Sequence, residues 1–156
     1  MKILLTRSFA ILVPACASLL LAAEPQPPTI DAEGVAQAET KMWQAYYSDD
    51  FMQIGAQLMT LLNRQYGLAP DRARDIGGLF AISSMSFRMA RGDYENAVLP
   101  GLTRAYEQLK QATGSAYDPA KAARAELDWW VARRTKGQNS AEQVGAKIAD
   151  LYACLY

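Results

Sequence analysis

The stretch AELDWWVARR, residues 125–134, sets Trp129 and Trp130 side by side between acidic residues and a pair of arginines. On a helix, Glu126, Trp129 and Arg133 share one face, because residues three and four apart are neighbours. A second stretch, ETKMWQAYY (39–47), repeats the theme with Glu39, Trp43, Tyr46 and Tyr47. If the two faces meet, the rings become walls and Glu39, Glu126 and Arg133 become the polar contacts of a pocket for a small organic ligand. The plainer reading is structural. Trp129 and Trp130 point about 100° apart on a helix, so they occupy different environments. Trp130, in line with Ala123 and Leu127, anchors a core, while Arg133 and Arg134, each four residues beyond a tryptophan, cover the rings by cation–π contact.

The residue types that are missing narrow the chemistry. Histidine is absent, which removes the usual acid/base at neutral pH and the commonest metal ligand. Two cysteines cannot assemble a zinc, haem or iron–sulfur site, and no alternating Asp/Asn run of the calcium-loop kind occurs. Nothing has the spacing of a nucleophile elbow or a phosphate loop. No cofactor or metal is therefore expected. Sixteen basic residues balance sixteen acidic ones, so no overall field favours nucleic acid. The one short cationic run, Arg133, Arg134 and Lys136, reads as a helix end that complements the dipole.

Two short stretches resemble known families. Residues 58–65, LMTLLNRQ, resemble the first-helix LLxLLxxR pattern of exported all-helical chorismate mutases, in which placed charges alone drive a rearrangement. The resemblance implies a histidine-free helical enzyme as a third alternative, although that family's further arginine and lysine contacts have no match here. The turn RGDYENAV resembles the inter-helix turn of a tetratricopeptide repeat, with Gly92, Asp93, Tyr94 and Ala97 in favoured places. It breaks at Pro100 and Gly101, and no period of roughly 34 residues recurs. It implies a helix hairpin and carries no function.

The elements that must position these residues begin with a leader. Residues 1–23 have a basic start (Lys2, Arg7), an apolar stretch from Phe9 to Leu21 and small residues before Glu24, the layout of a secretory signal peptide cleaved after Ala23. The stretch is shorter than the ~20 apolar residues of a membrane anchor and contains Pro14, so no membrane span is expected after cleavage. A lipoprotein form through Cys16 is the lesser alternative. Residues 24–30 read as a Pro-rich spacer, and 31–156 as a single helical domain. The protein is expected to be exported, to the periplasm or outside the cell, with Cys154 as the sole cysteine of the mature chain.

Helix punctuation recurs along the rest of the chain, without sustained period-2 alternation. Asp31 caps a first helix running to about Tyr47, with Val35, Ala38, Met42 and Tyr46 on one stripe. Ser48 or Asp49 restarts a second, with Phe51, Ile54, Leu58, Leu61 and Leu62 inward and Gly67 as the stop. Pro70 opens a third, whose uncharged IGGLFAISSMSF predicts burial on most sides, its small residues admitting neighbouring backbones. Gly92 ends it, Asp93 caps a fourth that Pro100 kinks or divides, Asp118–Pro119 starts a fifth, and Ser140 with Gln143 starts the last. That last helix turns Val144, Ile148, Leu151 and Leu155 inward and leaves Tyr152, Cys154 and Tyr156 as a contact surface for a second copy or a protein partner. The expected fold is all-α, a compact bundle of about six helices. The first functional expectation is an exported binding or interaction protein without catalytic machinery; the second is a small-ligand binder using the aromatic–Arg–Glu lining.

Overall fold

The computed structural model describes residues 31–156 apart from Lys136. The expected leader, the Cys16 alternative and the spacer all lie outside the described residues. Seven helices and no strand are found among the described residues: α1 (Ala32–Tyr47), α2 (Phe51–Tyr66), α3 (Pro70–Met89), α4 (Tyr94–Ala97), α5 (Leu99–Thr113), α6 (Pro119–Arg134) and α7 (Ala141–Leu155). The fold is an all-α compact bundle.

Capping chemistry sets most of the boundaries. Asp31 accepts from the Gly34 amide, Asp118 from Ala120 and Lys121, and Ser140 and Gln143 form a complete capping box. Gly67 and Gly114 close α2 and α5 in the left-handed region that glycine enters freely. The second helix departs from expectation. Asp50, not Ser48 or Asp49, caps it through the Gln53 amide. Asp49 instead takes φ 63° to reverse the chain, while the Ser48 hydroxyl donates back to the Gln44 carbonyl of α1. Phe51, expected inward, is 43% exposed in the first turn of α2. Pro100 divides its helix rather than kinking it. The four-residue α4 stops before Val98, and α5 restarts with Pro100 in its first turn, where a missing amide hydrogen is harmless.

Each long helix packs mainly on its neighbours in sequence, giving the series α1–α2–α3–α5–α6–α7. The main core lies around α5 and α6, where Val98, Leu102, Ala105, Ala122 and Ala123 are wholly buried. A smaller cluster of Ala45, Tyr46 and Ile54 fills the α1–α2 end, and Trp43 packs against both clusters. The apolar middle of α3 is buried on one side only. Ile76, Gly77, Ser83 and Ser84 face inward, while Ile82 is 65% exposed. Its glycines do admit close neighbours at Gly77, where an added methyl would touch Leu58 and Leu62 of α2.

The arginine pair of α6 ties this series together, in a way different from that expected. Neither arginine stacks on its own helix's tryptophan. The Arg134 guanidinium lies over the Phe87 ring, 4.3 Å from its centroid, and donates to the carbonyls of Phe87, Arg88 and Ala90. Helix α3 ends without a left-handed glycine cap, so its last carbonyls need an outside donor, and Arg134 supplies it.

Candidate functional site

The aromatic faces of α1 and α6 meet. The Trp43 and Trp129 rings are edge to face with centroids 5.2 Å apart, and Trp43 makes a similar contact with Tyr46 at 5.4 Å. Behind them lies a cavity of about 130 Å³ whose walls include Glu39, Trp43, Tyr46, Glu126 and Trp129, five of the seven residues proposed for a pocket. The other two, Tyr47 and Arg133, stand at its edge. Arg133 Nε donates to the Tyr47 hydroxyl at 3.0 Å, and its guanidinium lies 5.4 Å from the Trp43 ring. Helices α2, α3, α5 and α7 complete the wall with Tyr66, Phe80, Tyr106 and Tyr152, so all six long helices contribute.

Trp130 is the core anchor expected, but the separation of its environment from that of Trp129 is corrected. The two tryptophans do share an environment: they are almost equally buried, at 5% and 6% exposure, and both line the cavity. The 100° between their directions is absorbed by ring size, and the rings meet edge to face at 6.3 Å. Trp130 also packs on Phe87, as a core anchor would. Among the described residues neither indole Nε1 makes a hydrogen bond of full geometry, although both are buried. An indole N–H out of water ordinarily finds an acceptor.

The acceptor that both indoles approach is Glu126. Tyr106 donates its hydroxyl to Glu126 Oε2 at 2.8 Å, and Tyr106 is itself fixed by a bond from the Tyr117 hydroxyl to its carbonyl at 2.9 Å. Loss of water pushes the Glu126 carboxyl up to about 7, against the opposing pull of Tyr106, Trp129 and Trp130 and with further help from the charge of Glu39. Burial also raises Glu39, opposed first by the charge of Arg133 and then by Trp43. Burial moves Tyr66 and Tyr106 far up, so these phenols stay neutral.

Among known proteins, no family, no curated sequence and no solved structure matches this chain.

The chemistry of the cavity must therefore be read from its own groups. It holds two carboxyls, several phenols, two unbonded indole N–H groups and no lysine or arginine in its wall. Ser84, the one aliphatic hydroxyl there, donates to the Ala81 carbonyl at 2.8 Å and is not poised as a nucleophile. Arg64, the arginine of the LLxLLxxR resemblance, faces outward and pairs with Asp31. The C-terminal candidates divide. Tyr152 lines the cavity, Cys154 is half-buried, and Tyr156 is 70% exposed while its hydroxyl accepts from Gln65 Nε2 at 2.7 Å.

Sequence reasoning missed Tyr66, Phe80 and Tyr106. Tyr106 carried a signal: it lies on the stripe of Leu102 and Leu109, and a phenol on a core stripe needs a buried acceptor.

Proposed function

We propose that the protein binds a small organic ligand in the cavity between α1, α6 and α7, and that its aromatic and glutamate lining, with Arg133 outside the wall over Trp43, is the recognition surface. The observation that carries this reading is a cavity that sets two carboxyls, Glu39 and Glu126, among aromatic rings, with two buried indole N–H groups beside Glu126 but short of full hydrogen-bond geometry. Buried polar groups are ordinarily satisfied within the fold, and leaving them unpaired is unfavourable by about 1–3 kcal/mol each. A site held open at that cost makes sense if something else completes it. The volume is close to the ~150 Å³ of an apolar cavity that accepts benzene, so the ligand is a compound of about six to eight non-hydrogen atoms. With the leader read in residues 1–23, such a protein would meet its ligand outside the cytoplasm.

A second reading, binding through protein contacts, is favoured by the apolar turn between α1 and α2, where Tyr47, Phe51 and Met52 are 56%, 43% and 85% exposed. Tryptophan fluorescence distinguishes the two, because Trp43, Trp129 and Trp130 all line the cavity. Titration with small amines, sugars and dicarboxylates is expected to give a saturable change with at least one class. Silence across all three, with a mass that grows with concentration, would replace ligand binding by association.

A further inference from the structure

The charges around the cavity do not cancel. Glu39 is answered by Arg133 at the edge, whereas Glu126 has only neutral donors around it. Trp43, Trp129 and Trp130 line the cavity beside it, and the π faces of such rings carry partial negative charge. An anionic ligand would be repelled by the carboxyls and the ring faces together. A neutral one would leave the Glu126 charge without a counter-charge. We infer that the ligand is a small organic cation, an alkylammonium or quaternary ammonium compound, caged by Trp43, Trp129 and Trp130 and paired with the Glu126 carboxylate. This rests on the ligand-binding reading and specifies its chemistry. Aromatic faces attract such cations most strongly when water is excluded. Tyr106, which donates to Glu126 Oε2, and the two indoles beside it favour the carboxylate against the loss of water, and a cation would complete what they leave unbalanced.

The pH dependence follows from the groups that face Glu126. Helix α1 presents Glu39 and Tyr46, α2 Tyr66, α5 Tyr106 and α7 Tyr152, while α3 presents only Phe80 and Ser84. The phenols are all pushed up and stay neutral near pH 7, which leaves the carboxyls to titrate.

Calorimetric titration of the full chain with choline, with its neutral isostere 3,3-dimethylbutan-1-ol and with butyrate tests the inference. Choline should bind at least about tenfold more tightly than the alcohol, and its affinity should rise about tenfold from pH 6 to pH 8 as Glu126 ionises. Glu126→Gln should remove that preference, weakening choline far more than the alcohol, with circular dichroism verifying the fold. The comparison of choline with the alcohol on the unaltered protein needs no variant and decides the matter if the variant misfolds. Equal or tighter binding of the alcohol or butyrate would overturn the cation and leave ligand binding standing. So would a saturable fluorescence response to sugars or dicarboxylates with none to choline. Silence toward every compound in both experiments would overturn the ligand reading itself.

Discussion

Glu126 sits where three donors and the loss of water oppose one another, and its proton reports which prevails. Its pKa in the folded protein, about 7, lies above the 4.5 of a free carboxyl, so the folded state holds the proton more tightly. The stability this brings is complete below pH 4.5 and is lost as pH rises through 7, a change on the order of 3 kcal/mol. Urea unfolding of the unliganded protein should therefore show stability falling from pH 5 to pH 8. Glu126→Gln should flatten most of that slope, keeping a smaller part of the same sign from Glu39. Equal slopes in the two proteins would mean that the Glu126 carboxyl is hydrated, and the dry enclosure would have to be abandoned. The same residue links stability to function: an ionised Glu126 destabilises the empty protein at neutral pH, and a cation would restore what is lost.

At the scale of elements, α3 and α5 approach closely at one glycine. A methyl added to Gly101 would lie 2.6 Å from Ser83 Oγ but 3.7 Å from Ser83 Cβ, so the hydroxyl alone is in the way. That hydroxyl donates to the Leu79 carbonyl at 2.8 Å and is almost wholly buried, so turning it aside strands a polar group. Gly101→Ala should destabilise by about 1–2 kcal/mol despite the better helix propensity of alanine. In a Ser83→Ala background the same change should be neutral or stabilising, a coupling that a double-mutant cycle of thermal or urea unfolding reads directly. Additive losses would show that the helices are not in contact there. The sequence made the punctuation legible because caps are local: Asp31, Gly67, Asp118–Pro119 and Ser140–Gln143 act within a turn or two. It also assembled the Glu39–Trp43–Tyr46 and Glu126–Trp129 faces. It could not show that those faces meet, nor that Arg134 serves a helix some forty residues earlier, since both depend on how distant elements pack. Phe51 was misread, and Trp129 was given an environment apart from that of Trp130, for a related reason: periodicity assigns a side to a residue, but not the neighbour waiting on that side.

For the molecule as a whole, the series of helices closes on itself through side chains. Trp43 meets Trp129, Tyr47 bonds Arg133, and Gln65 of α2 bonds Tyr156 beyond α7. The cavity between these contacts is half-open, and its last wall is lightly held. Helix α7 packs mainly on α6 and buries only Leu151 fully, whereas α6 buries five residues and α5 four. Elements with few buried contacts open at free energies well below global unfolding. Native-state hydrogen exchange should find α7 amides exchanging at least about tenfold faster than those of α5 and α6. Cys154, half-buried on α7, should react with a thiol reagent in the absence of denaturant, at a rate that follows this opening. The opening would uncover the side of the cavity that Tyr152 and Leu155 cover, giving a ligand its way in without disturbing the core around α5 and α6. It would also free the apolar face of α7 for a second copy or another protein, a surface separate from the exposed turn between α1 and α2. If α7 proves as protected as α5, and Cys154 stays unreactive until the whole protein unfolds, the helix belongs to the global folding unit and entry must be sought at the Tyr47–Arg133 edge instead.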